Sequence, residues 1–194
     1  MQRIFHTPEG VRDIYNGECS QKHHLQAEIY KVFRSYGYEE IETPSIEYFE
    51  VFSKEVGTVP SKDLYKFFDR EGNTLVLRPD FTPSVSRACA TYFNPEKEVV
   101  SLCYTGNTFI NNSSFRGRLK ETTQMGVERM GDDSPEADAE ILAMTVECLL
   151  AAGLTEFQVS VGQVDYYKSI FEKTGGSINF YPDKSGALPT AELY

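Results

Sequence analysis

Twice in this chain a hydroxyl residue stands directly before a proline, at Thr82-Pro83 and at Ser134-Pro135, and each pair follows runs rich in β-branched and aromatic residues. Thr or Ser at an N-cap accepts from an orphaned backbone N–H, and proline at the first helical position has no N–H to lose, so each pair marks a helix start. The first opens a helix carrying Val85, Ala88, Cys89 and Tyr92 that ends at Asn94-Pro95, and the second a helix to about Ala152, closed by Gly153. Before the first pair, DLYKFFD and TLVLRP flank Arg70, Glu71, Gly72 and Asn73, which reads as a β-hairpin. Before the second, VVSLCYT and KETTQMGVERMG flank a loop rich in Asn, Ser and Gly. Long loops of this kind are usually functional. Strands therefore come in hairpins between helices, not in βαβ alternation, and the fold class is α+β with a mainly antiparallel sheet.

The ends follow the same logic. Leu25, Ile29, Val32, Phe33 and Tyr36 form one stripe of a helix from about Glu18 to Ser35, stopped by Gly37. YEEIETP then reads as a strand up to Pro44, FQVSVG as a late strand, and DYYKSIFEK as a short amphipathic helix. From Thr174 to Tyr194 no period holds, so the expected division is a core over 1–173 and an unassigned tail over 174–194.

Charge and cysteine usage narrow the function. With 19 Lys+Arg against 29 Asp+Glu the net charge is -10, and no concentrated basic patch offsets it, which argues against nucleic-acid binding. No apolar run approaches the ~20 residues that span a bilayer, and MQRIFHTPEG lacks a signal core, so a soluble, cytoplasmic protein is expected with no membrane contact. Cys19, Cys89, Cys103 and Cys148 include no CxxC pair, so free thiols are expected, with neither a metal site nor a cofactor. No Ser or Cys has a nucleophile's surroundings, and His23 and His24 read as surface residues of the first helix.

Three strings, TPEGVRDIYNGE, LVLRPDFTPSVSR and GRLKETTQMGVERMG with the PEADAEILAM helix behind it, resemble in order and spacing the class II aminoacyl-tRNA synthetase core. The likeness is to histidyl-tRNA synthetase and its non-synthetase paralogue, the regulatory subunit of ATP phosphoribosyltransferase, over about Thr7 to Lys173. It implies a six- or seven-stranded antiparallel sheet flanked by helices and dimerisation through the first helix and the strand after it. Both relatives run well beyond this length, so an incomplete core is expected.

The two paralogues differ at specific positions. The synthetase grips the α-phosphate of ATP with an Arg two residues before a Glu, and aligning backwards from Gln124 and Gly126 puts Ile110 and Asn112 there, with Arg116 and Arg118 as rivals across the loop. An aliphatic side chain makes no bidentate phosphate contact. Gln124 and Glu128, by contrast, match positions that hold histidine, and four residues apart on one strand they share a face. The resemblance gives Asp80 the α-amino group, Thr82 a hydroxyl contact, and Gln124 or Glu128 the imidazole or ammonium. The competing readings are plain ones. Asp80 and Thr82 cap a helix, Gln124 and Glu128 form a strand's polar face, Arg78 sits in a buried ion pair, and Arg116 and Arg118 belong to a solvated loop. The implied function is a non-catalytic subunit that assembles with a short-form ATP phosphoribosyltransferase catalytic subunit and mediates feedback by histidine. The alternative is a histidyl-tRNA synthetase, or a fragment of one, that activates histidine with ATP.

Overall fold

The structure, a computed structural model, describes residues 5–53, 59–112 and 117–162. Of the helix expected over 165–173 only residues 169 and 173 are described, both helical, and the expected tail over 174–194 lies outside the described residues. Packing divides the chain into two units, residues 1–155 and 156–194. Among the described residues no helix is long and apolar enough to cross a membrane.

In chain order the first unit runs α1 (Asn16–Ser35), β1 (Glu39–Glu40), β2 (Ile46–Tyr48), α2 (Glu50–Ser53), a 3-10 turn (Ser61–Asp63), β3 (Lys66–Phe68) and β4 (Thr74–Leu77). Then come α3 (Thr82–Tyr92), β5 (Val100–Phe109), β6 (Glu121–Met130) and α4 (Pro135–Ala151). The strands form two three-stranded sheets in place of the single larger sheet that the resemblance implies, ordered β1-β5-β6 and β2-β4-β3. Every pairing is antiparallel except β1 with β5, where Glu39 lies opposite Leu102. That pair is parallel because the whole second sheet and α3 intervene between the two strands, a crossover rather than a hairpin.

β5 and β6 form a ten-residue ladder from Val100–Met130 to Phe109–Glu121, with helices on both faces. On one face, Phe81, Val85 and Cys89 from the α3 region pack with Val100, Leu102 and Tyr104. On the other, Phe33 of α1 and Met144 of α4 pack with Tyr38 and Cys103. Period-two alternation sends even-numbered residues of each strand toward α3 and odd-numbered ones toward α1 and α4.

Ser134 caps α4 as read, its hydroxyl oxygen accepting from Ala137 N–H at 3.2 Å, and Gly153 takes φ +86 after it. Four expectations change. Thr82 does not cap α3: the N-cap is Phe81, without a side-chain bond, and the Thr82 hydroxyl is engaged elsewhere. The strand expected over 38–44 pairs only at Glu39–Glu40, because the segment after Ile41 turns aside and offers its carbonyls to Arg78. Leu25, on the expected core stripe, is 40% exposed, since this part of α1 lies along the hairpin's tip and not against α4. FQVSVG is not a strand; residues 157–162 are exposed and pair with no strand among the described residues. Cys89 and Cys103 are buried and Cys19 and Cys148 partly so, all four as free thiols.

Candidate functional site

Where the N-terminus of α3 meets the even-numbered face of β6, the Thr82 hydroxyl donates to the Glu128 carboxylate at 2.7 Å. Forty-six residues apart in sequence, the two are brought together by α3 lying across the hairpin. Asp80, just before the helix, accepts from Phe81 N–H at 2.7 Å through Oδ1, leaving its other oxygen clear of that bond. Gln124 lies two positions from Gly126, which lies two from Glu128, so all three share the face opposite Gly106, Tyr104 and Leu102. The Gln124 side chain has no hydrogen-bond partner among the described residues.

The residue between the two polar groups is a glycine for a steric reason. A Cβ on Gly126 would run into the Tyr104 phenol oxygen and stand 2.6 Å from its Cζ, so the hydroxyl end of the ring lies against the backbone between Gln124 and Glu128. Phe81 stacks on Tyr104, centroids 4.3 Å apart and planes 9° from parallel, and the Arg78 guanidinium lies 3.9 Å from the Phe81 centroid. The three form a layered stack beneath the site, and Gly106 makes room for it.

Arg78, 5% exposed, is in no ion pair among the described residues. Its Nε donates to the Asn107 carbonyl at 2.9 Å and its Nη1 to the Thr43 carbonyl at 2.7 Å, so backbone oxygens satisfy it, and burial lowers its pKa. Its guanidinium lies against the Phe81 ring, which it supports from beneath. The paired carboxylate in this region is Glu47, 6% exposed, which takes three hydrogen bonds from Arg87.

Burial first, then the charge of Asp80, pushes the Glu128 carboxyl above the ordinary carboxylate range, while hydrogen bonds from Thr82 and Tyr104 pull it back. The Tyr104 phenol is raised by burial and by the same two carboxylates. A carboxylate that feels a second acid, with the Thr82 hydroxyl already on it, is the kind of group whose charge a cation such as an ammonium or imidazolium would offset.

Of the seven residues singled out from sequence, Asp80, Thr82 and Glu128 converge, Gln124 shares their face, and Arg78 lies beneath. Arg118 is exposed and makes no hydrogen bond or ion pair among the described residues, and Arg116 lies outside them. Ile110, just past β5, is partly buried and pairs its backbone N–H with the Lys120 carbonyl at 2.9 Å. Sequence reasoning missed Tyr104; the available signal was Gly126, a small residue between two polar ones on a strand.

A separate groove of about 660 Å³ opens on the sheet's other side, between α1 and the hairpin tip, lined by Ile14, Lys22, Leu25 and Met125 among others. Its two carboxylates, Glu18 and Glu121, are met there by Arg12 and Asn107.

A long antiparallel hairpin sandwiched by helices, with the N-terminus of one helix joined through Thr82 to Glu128 of the second strand, has the architecture of a class II aminoacyl-tRNA synthetase core. Within that class the chain belongs to the histidyl-tRNA synthetase family, whose model matches residues 10–180. It is 45% identical over 170 residues to the ATP phosphoribosyltransferase regulatory subunit of Acetivibrio thermocellus, an alignment covering 88% of this chain and 41% of that protein. The subunit of the same name from Ruminiclostridium cellulolyticum is 46% identical, with 89% and 41% covered. In three dimensions it resembles an ATP phosphoribosyltransferase regulatory subunit/histidyl-tRNA synthetase from Bacillus halodurans C at a TM-score of 0.78 and 32% identity, covering 89% of this chain and 45% of that one. The chain thus spans about two-fifths of the length of the curated relatives it matches.

Proposed function

We propose that this chain is the synthetase-like core of a regulatory subunit of ATP phosphoribosyltransferase, without adenylation activity of its own, supporting the first step of histidine biosynthesis and binding histidine between Asp80, Thr82, Gln124 and Glu128. The observation that carries the reading is the contrast between the two ends of one hairpin. Thr82 and Glu128 are joined in an acidic receptor, while the position that the resemblance gives to the phosphate-gripping Arg is Ile110. An amino-acid site without that electrostatic stabiliser binds without activating. The relatives named as regulatory subunits at 45% and 46% identity support the same assignment. In this reading the core extends over 1–173, and the partner is the short-form catalytic subunit, met by a homodimer of this chain in the cytoplasm. Histidine regulates the assembly by binding its two states with free energies that differ by about 1–3 kcal/mol.

The test is phosphoribosyl-ATP formation by a short-form catalytic subunit, alone and with this protein, across a histidine titration. Activation that histidine reverses, with loss of the histidine response in Glu128→Gln, is the expected result. Histidine-dependent pyrophosphate exchange by this protein alone would replace the proposal with the synthetase reading.

A further inference from the structure

We propose that Tyr104 is a positioning residue of the candidate site: seated over Gly126 between Gln124 and Glu128, its phenol donates to the Glu128 carboxylate and, with Thr82, holds it as the anion that receives a cationic ligand. The proposal rests on the amino-acid-binding reading above for its ligand, but not for its geometry.

Three observations carry it. First, the register pairs Tyr104 with Gly126, and the phenol oxygen occupies the space that any side chain at 126 would need. The ring therefore stands at the midpoint of the two residues proposed to read the ligand. Second, the ring has little freedom to leave. Tyr104 is 3% exposed, stacked on Phe81, which is 1% exposed and has Arg78 against it in turn. Its hydroxyl is thus aimed by packing and not by the ligand, the condition for a preorganised donor. Third, Glu128 is only partly buried and accepts from Thr82 of α3 at 2.7 Å, while Tyr104 on the paired strand stands close enough to favour its anion.

The groups facing Glu128 can be enumerated from the elements packed on it. Asp80, from the segment before α3, is the like charge that opposes its ionisation. Thr82 and Tyr104 favour the anion by hydrogen bonding, and Gln124 on its own strand is neutral. Arg78 is the nearby cation, but it lies against Phe81 with its N–H groups on the Asn107 and Thr43 carbonyls, so it is not a counterion for Glu128. Removing the phenol oxygen therefore removes one of the two contacts that keep Glu128 charged beside Asp80.

The decisive variant is Tyr104→Phe, which keeps the stack and deletes only the donor. The first readout needs no ligand: the titration of the Glu128 carboxyl carbon by NMR in glutamate-labelled protein, assigned with Glu128→Gln. The midpoint is expected to move upward in Tyr104→Phe. The second readout is L-histidine affinity against pH by calorimetry, where the variant is expected to lose affinity at a higher pH than the parent, by about tenfold near the parent's Glu128 midpoint. Gly126→Ala, which displaces the phenol without deleting it, is expected to shift the carboxyl in the same direction, and adding it to Tyr104→Phe should add little. An unchanged Glu128 midpoint in folded Tyr104→Phe overturns the proposal. If the parent binds no L-histidine, the amino-acid reading falls while the carboxyl titration still decides the role of Tyr104.

Discussion

Replacing Gly106 with alanine tests the layered stack directly. An ideal Cβ at 106 would stand 2.5 Å from Arg78 Nη2 and 2.8 Å from Phe81 Cζ, both inside any tolerable contact. Gly106 does not have a positive φ, so backbone strain plays no part and the cost is steric. Neither neighbour can retreat cheaply. Arg78 is tied to carbonyls at 2.9 and 2.7 Å on two different segments, and Phe81 is held between Arg78 and Tyr104. Overpacking of this kind costs about 1–3 kcal/mol. For a chain of this size each kcal/mol lowers the melting temperature by about 2–4 °C, so a fall of about 2–12 °C is expected by calorimetry. Gly17→Ala, where nothing lies within 4 Å of the added carbon, is the matched control and should lose nothing. A Gly106→Ala protein within about 0.5 kcal/mol of the parent in urea, at unchanged slope, would refute the packing argument.

The remaining expectations concern caps and charges. Ser134→Ala should cost about 1 kcal/mol in chemical denaturation, because the Ala137 N–H loses its side-chain acceptor and keeps only the Ser134 carbonyl. The same change should raise the carboxyl of Asp132, now held at about 2 by the Ser134 hydrogen bond first and Arg129 second. Stability from that depressed carboxyl is present above its ordinary 3.8 and lost as pH falls toward 2, so an Asp132→Asn protein should show a flatter acid limb across that window. Arg87→Met leaves Glu47 without its partner. Because the Arg87 side chain is 34% exposed, a loss of about 1–3 kcal/mol is expected, below the cost of breaking a fully buried pair. Glu128 has the opposite sign from Asp132: its folded pKa is raised, so the native state holds the proton more tightly and stability declines as pH climbs from 4.5 through the folded value. Glu128→Gln should remove that decline, read as a flatter denaturation midpoint against pH.

Local chemistry made much of this architecture readable. Ser134-Pro135 and Gly153 bound α4 as expected, and the alternation of β6 put Gln124 and Glu128 on one face. What failed was whatever depended on partners distant in sequence. Thr82 before Pro83 has the local signature of a cap, yet its hydroxyl is taken by a carboxylate 46 residues away. The strand after α1 has strand-forming residues up to Pro44, but a buried guanidinium competes for the carbonyls of Thr43 and Pro44. Tyr104 stayed hidden because its role exists only in the register that sets it opposite Gly126, and register across the 110–120 loop is not a property of either strand alone. FQVSVG shows the converse: β-propensity describes a surface ready to pair and does not supply the neighbour.

Arg78 does more than support an aromatic stack. Its backbone N–H donates to the Ser45 carbonyl and its own carbonyl accepts from Phe109 N–H, while its side chain reaches Thr43 and Asn107. One residue thus pins the end of the second sheet to the end of β5 and lies against the Phe81–Tyr104 stack. In mechanical terms it is a rivet through two plates. Any shift of residues 80–82 that tilts Phe81 must either slide against the rivet or turn both sheets together, so strain introduced where Thr82 meets Glu128 bears on the second sheet as well.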